Sequence, residues 1–242
     1  MSRIENEVAH GKKLSAEGAE EIWNWSSPAG QKRAERRANY FVELAKIKPG
    51  DKVLEIGCGT GLFTRKFYDA TKAEIIATDI SEDLLEEARK NLPQVTFKKD
   101  DAMNMSFADE TFDVVFGSSI LHHLDFKPAL KEIYRVLKRD GRMIFAEPNM
   151  LNPQIFIQKN VPFIKKWLGD SPDETAIVRW SFYKRMQADG FINIKIFPYD
   201  FLHPSTPEFL IPLVKGIGNM VEKIPVLNEI AGSVIIYGEK RQ

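Results

Sequence analysis

At 242 residues with 43% hydrophobic side chains, the chain is long enough for one α/β domain with an added cap and too apolar to stay disordered. Basic and acidic residues balance at 34 each, which argues against a nucleic-acid backbone as partner. The lone cysteine, Cys58, excludes an internal disulfide and suits a reducing, cytoplasmic setting; residues 1–21 lack a signal-peptide core, and no apolar run is long enough to span a bilayer.

The first clear element is a helix over 29–46, followed by a strand over 52–56, a helix over 60–70 and a strand ending at Asp79. Ser81 caps a helix reaching 91, and a strand lies over 95–98. A strand over 112–116 leads into a helix over 127–138, with Ala129, Leu130, Ile133, Val136 and Leu137 as its buried stripe. Asp140-Gly141 reads as a turn and 142–147 as a further strand. This alternation implies a mostly parallel sheet with helices on both faces. Residues 149–169 are apolar and aromatic, interrupted by Pro153 and Pro162. Ser171-Pro172-Asp173-Glu174 then has the form of a helix start, and that helix is expected to run to 189 and stop at Gly190. Residues 192–197 alternate as a strand, Thr206-Pro207-Glu208 opens another helix, and 233–239 form a last strand. The stripe Leu210, Leu213, Val214, Ile217, Val221 and Ile224 reads as core. Phe209, Ile211 and Met220 widen it toward a dimer face, a lipid-like substrate wall or a peripheral membrane contact.

The most informative stretch runs from Val53 to Gly61. An apolar strand ends in Glu55, and Gly57, Gly59 and Gly61 follow at alternate positions before a helix. Such a turn brings backbone close to a ligand. A dinucleotide fingerprint would need glycine at 62, which is Leu62, and Glu55 would repel a pyrophosphate. The turn suits a nucleoside with no phosphate and a cationic amino-acid tail, as in S-adenosylmethionine (SAM). A second apolar strand ends in Asp79, about twenty residues further on, where a carboxylate can accept both hydroxyls of a ribose.

With its companions Ile75–Asp79, Asp100–Phe107 and Phe112–Ser119, this segment resembles the class I SAM-dependent methyltransferases, and most closely the small-molecule branch of ubiquinone and menaquinone biosynthesis. The resemblance covers about 52–147. Asp100 and Ser106 stand where that family's pattern has glycine and proline. It implies a Rossmann-like, doubly wound, seven-stranded, mostly parallel sheet with an antiparallel edge strand. It also implies one domain with a helical arm over 1–47, a cofactor core over 48–148, a helical cap over 149–190 and terminal strands over 191–242. SAM, leaving as S-adenosylhomocysteine, would be held by Glu55, Gly57, Gly59, Gly61, Asp79, Ile80, Asp101, Ala102 and Ser118. No metal is implied, and monomer and homodimer both stay open.

His122 and His123 follow the fourth strand, where side chains reach the ligand crevice, so either is a candidate base; alternatively the pair only starts a helix. Glu147, ending the fifth strand, either binds a polar acceptor group or only terminates the strand. Trp23, Trp25, Asn149 and His203 are candidate substrate contacts, with anchoring or surface packing as the plain alternative. Lys32, Arg33, Arg36 and Arg37 read as a solvated helix face or as an attraction for an anionic group. Two functions follow. One is methyl transfer to a small, partly apolar molecule, with a hydroxyl or carboxyl acceptor favoured. The other is SAM or S-adenosylhomocysteine binding without transfer, as in a regulatory partner subunit.

Overall fold

The computed structural model describes residues 3–168, 171 and 174–241. In chain order the elements are helices α1 (Arg3–Glu17), α2 (Ala19–Ile22) and α3 (Pro28–Ala45), strand β1 (Lys52–Ile56), α4 (Leu62–Thr71), β2 (Glu74–Asp79), α5 (Glu82–Asn91), β3 (Thr96–Lys99) and β4 (Phe112–Ser118). A 3-10 turn (Leu121–His123) precedes α6 (Phe126–Val136), β5 (Leu137–Pro148), α7 (Pro153–Asn160), α8 (Pro162–Trp167), α9 (Arg179–Ala188), β6 (Phe191–Tyr199), α10 (Ile211–Val221) and β7 (Ser233–Lys240). The helix starts follow local chemistry. The Ser27 hydroxyl accepts from Gly30 N–H with Pro28 in the first turn, and the Asn152 side chain accepts from Gln154 and Ile155 N–H ahead of Pro153.

The seven strands form one sheet in the order β3-β2-β1-β4-β5-β7-β6. The pairs from β3 to β5 are parallel, while β7 runs antiparallel to both β5 and β6. The chain reverses its direction of winding between β1 and β4, which opens a crevice at their carboxyl ends. The near-continuous apolar runs of β1 and β4 are buried on both faces, as parallel strands covered by helices must be. One face packs Phe41, Phe67, Leu85 and Phe116, and the other packs Leu130, Ile133, Phe182 and Met186.

Phe116 joins the layers of the first face. It is fully buried, stacks on Phe67 with ring centroids 4.5 Å apart and meets Phe41 at 5.5 Å. Phe116→Ala is expected to cost about 3–5 kcal/mol by transfer loss plus cavity formation. Chemical denaturation checks this; a loss below about 1 kcal/mol, the scale of a typical substitution, would show that the sheet does not depend on this contact.

Three expectations are corrected. The turn at Asp140-Gly141 lies inside the fifth strand and not before it: β5 starts at Leu137, its pairing with β4 jumps from Leu137 to Arg142, and Asp140 takes a positive φ of 59°. The helix expected from Ser171 begins only at Arg179. Ser171 N–H does donate to Glu174 Oε1 at 2.7 Å, but Ile177 bridges to Asn149 and is buried, which holds that stretch extended. Pro172 and Asp173 lie outside the described residues. Finally, the stripe along α10 is not core. Ile211 and Gly218 are the residues it buries, whereas Leu213, Ile217 and Met220 are exposed, as are Phe209 and Ile224 beside it. Periodicity marks an apolar face without saying what covers it. Among the described residues no helix is long and apolar enough to cross a membrane.

Candidate active site

A cavity of about 780 Å³ opens at the carboxyl ends of β1, β2 and β4. The glycine turn forms its floor. Gly57 and Gly59 take φ of +66° and +53°, and a Cβ on Gly57 would meet Ile120 at 2.4 Å while one on Gly59 would meet the Trp23 ring at 3.1 Å. Only glycine fits a backbone pressed this closely between an aromatic cap and the loop after β4.

Asp79 lies on the wall beside this turn. Its Oδ2 accepts from Gly59 N–H and its Oδ1 from Ser81 N–H, each at 2.9 Å. A carboxylate has about four acceptor directions, so not all are taken and a ligand can be accepted as well. Burial pushes the Asp79 carboxyl up, and the amides of Ser81, Gly59 and Ile80 work against that. Glu55 sits behind the turn, 1% exposed, with Oε2 lacking a hydrogen bond. Burial pushes its carboxyl up to about 8; the Thr64 hydroxyl opposes this and the Asp79 charge adds to it.

Arg37 departs most from expectation. It is 3% exposed rather than solvated, and it lines the cavity. Its Nε donates to Tyr199 Oη at 3.0 Å, Nη1 to Ser118 and Ser119 Oγ at 2.8 Å each, and Nη2 to Ser233 Oγ at 3.2 Å. Trp25 and Phe63 flank it at 5.0 and 5.7 Å from their ring centroids. All these hydrogen-bond partners are neutral. A cation out of water normally needs a counter-charge, and this wall of the cavity asks for an anionic group. The neighbouring Arg33 is paired with Asp200 at 2.8 Å, and Arg36 with Glu222.

The cavity also holds a histidine–carboxylate pair. Glu147 is fully buried and accepts from Ile120 N–H at 3.0 Å, Leu121 N–H at 2.8 Å and His122 N–H at 3.4 Å. His122 Nδ1 lies 2.8 Å from its Oε2. While Glu147 is ionised it can only accept, so Nδ1 then carries the hydrogen and Nε2 keeps its lone pair. Burial holds His122 well below the ordinary imidazole range, hence neutral. Burial pushes the Glu147 carboxyl up to about 7, against the Leu121 and Ile120 amides. Nε2 lies 4.0 Å from Glu174 Oε2. His123 is raised: burial works to lower it, and Glu7 and Glu174 outweigh that.

The cavity wall thus brings together Gly57, Gly59, Asp79, Ile80, Asp101, Ala102, Ser118, His122, His123, Trp23, Trp25 and His203. Glu55, Gly61, Glu147 and Asn149 are buried behind it. Asn149 Nδ2 donates to the carbonyls of Glu229 and Ala231 at 2.8 Å each, which fastens the end of β5 to the segment before β7. His203 is exposed at the rim and hydrogen-bonds Gln154. Sequence reasoning missed Arg37 as a wall residue, and with it Glu174 and Lys159. The signal for Arg37 was present: Ala34, Ala38, Phe41 and Ala45 make the buried stripe of α3, and position 37 falls within it.

The methyltransferase-domain family matches residues 53–141. A demethylmenaquinone methyltransferase of Lactobacillus johnsonii is 30% identical over 184 residues, covering 66% of this chain and 75% of that one. The chain belongs to the class I SAM-dependent methyltransferases of the ubiquinone and menaquinone type. An uncharacterized methyltransferase-like protein of Schizosaccharomyces pombe is 29% identical over 173 residues, 72% of this chain and 66% of its own length. The chain spans about half the length of several other demethylmenaquinone methyltransferases it matches. The fold is shared with a SAM-dependent methyltransferase of Thermotoga maritima, at a TM-score of 0.64 and 22% identity over 96% of this chain and all of that one. The cavity fits the family's cofactor on its own evidence. A glycine cradle, a carboxylate with acceptor directions to spare and a buried guanidinium hydrogen-bonded to hydroxyls and not to a carboxylate match a nucleoside with a carboxylate tail.

Proposed function

We propose that this methyltransferase moves a methyl group to a hydroxyl of a small, partly apolar molecule. The observation that carries this is the His122–Glu147 pair, because a base is needed only where the acceptor must lose a proton. Bound SAM supplies an electrophilic methyl group on a sulfonium. Asp79 would hold the ribose hydroxyls, Asp101 and Ala102 the adenine edge, and Arg37 the carboxylate of the amino-acid tail. Trp23 and Trp25, on the segment before α3, close the cavity and exclude water, which leaves alignment to supply much of the acceleration. Glu147 fixes the tautomer, and His122 Nε2 takes the proton of the acceptor hydroxyl. The apolar part of the acceptor would lie against Leu124, Ile155 and Leu202, which share the wall. Cytoplasmic location and a small-molecule partner accord with this proposal.

The test is calorimetric binding of S-adenosylhomocysteine followed by turnover against phenolic, lipid-like and sugar hydroxyls and their carboxylate counterparts. Binding without turnover on any class would return the chain to a cofactor-binding role without transfer. The pH profile carries a second expectation. His122 is neutral throughout the working range, whereas Glu147 must be ionised to accept from Nδ1. Turnover should therefore climb as pH rises through about 7, where Glu147 ionises, and stay level above it. A rate that falls across that range contradicts the assignment.

A further inference from the structure

His122 and His123 share the cavity with a third donor. Glu174, in the stretch between α8 and α9, presents Oε1 at 3.7 Å from His123 Nδ1 and Oε2 at 4.0 Å from His122 Nε2. The donor atoms of these residues all lie within 4.8 Å of one another. We propose that His122, His123 and Glu174 form a binding site for a borderline divalent cation of the zinc and cobalt class, with its remaining coordination position open to the cavity.

Each donor is already oriented by a neighbour, as ligating side chains are. Glu147 holds His122 Nδ1 at 2.8 Å, which fixes the ring and aims Nε2 away from it. Glu174 Oε1 accepts from Ser171 N–H at 2.7 Å and Oε2 from Lys159 Nζ at 2.5 Å, which pins the carboxylate and leaves its other acceptor directions for an ion. His123 Nδ1 lies 3.0 Å from Glu7 Oε2, and an ion would take the place of the proton between them. Bonds of about 2.0–2.1 Å in a tetrahedral site place ligand atoms about 3.3 Å apart. Taken one atom per residue, the donors here lie within 4.8 Å of one another, so the side chains must turn inward to close on an ion.

Charge and ligand type point the same way. Glu7, Glu147 and Glu174 crowd one end of the cavity, with Lys159 as a close cation. A dication suits that excess of carboxylate. Two imidazoles and one carboxylate select zinc or cobalt over magnesium or calcium, which prefer all-oxygen sites, and three protein ligands with one open position are a known arrangement for reactive zinc. An ion on Nε2 occupies the lone pair assigned above to proton removal, so the occupied site blocks turnover and the empty one allows it.

The test uses the full chain stripped of metal. Cobalt(II) titration should produce the visible absorption of a tetrahedral nitrogen–oxygen site, saturating at a single ion per chain, and zinc should bleach it. His123→Ala and Glu174→Gln should each weaken cobalt binding by at least about tenfold. Binding of S-adenosylhomocysteine to the same samples should be unchanged, which shows that the variants are folded. Absence of the cobalt spectrum in the unmodified protein overturns the proposal, as does affinity that survives both substitutions. The two claims separate cleanly: cobalt binding without S-adenosylhomocysteine binding would sink the methyl-transfer proposal and leave the cation site standing.

Discussion

Arg37→Gln is expected to weaken S-adenosylhomocysteine binding by about 30-fold or more, the equivalent of about 2 kcal/mol for a buried charge pair that loses one partner. The guanidinium sits 3% exposed with hydroxyls as its hydrogen-bond partners and two aromatic rings beside it, so the protein holds a desolvated cation in advance of its anion. Two controls make the result specific. The first is 5′-methylthioadenosine, which lacks the amino-acid tail; its affinity should not change, because Asp79 and the glycine turn are untouched. The second is stability. A structural arginine in a buried ion pair would cost about 3–5 kcal/mol on removal. Arg37 makes no hydrogen-bonded ion pair, its charge reaching only the buried Glu147 carboxyl, and the hydroxyls of Ser118, Ser119, Ser233 and Tyr199 can turn toward one another once it is gone. The unliganded variant should therefore keep its Tm or gain a little, as residues retained for binding commonly do when replaced. Calorimetry with both ligands and a melting curve decide the matter. Equal weakening of the two ligands, or a large fall in Tm with affinity retained, would refute the assignment.

Arg37 also shows where the sequence stops being legible. The glycine turn could be read because its requirement is local: positive φ and a close backbone approach exclude other residues at Gly57 and Gly59. The strands ending in Glu55 and Asp79 could be read because parallel strands covered on both faces leave continuous apolar runs. Arg37 lay in plain view on the buried stripe of α3, but composition pulls an arginine toward solvent unless the cavity behind it is known. Glu174 was misjudged for a different reason. Its Ser171 partner suggested a helix start, and the local bond does form, yet Lys159 and the two histidines hold the carboxylate in a tertiary cluster that no local pattern encodes. The exposed face of α10, with Leu213 60% and Met220 62% exposed, has the same lesson: amphipathic spacing fixes which residues share a face and not which face is covered.

Glu147→Gln is expected to lower turnover by about 10²–10⁴-fold while S-adenosylhomocysteine still binds, because the change inverts the tautomer of His122 without altering shape. At present one carboxylate satisfies the amides of Ile120, Leu121 and His122 together with His122 Nδ1–H. Glutamine offers one acceptor and one NH2. If its oxygen stays on the Ile120 and Leu121 amides, the NH2 faces Nδ1, which must become an acceptor. The ring proton then moves to Nε2, and the lone pair that should receive the acceptor's proton is gone. Stability should fall by about 1–3 kcal/mol, since the His122 amide also loses its partner in a dry environment. The glycine turn and Asp79 make no hydrogen bond to Glu147, so the nucleoside contacts do not change. Single-turnover rates with an acceptor identified in the screen, set beside a binding isotherm, separate these effects. A variant that turns over normally would leave Glu147 as no more than the anchor of the turn after β4. The pH dependence gives an independent check: with no group titrating at position 147, the rise through about 7 should vanish from whatever activity is left.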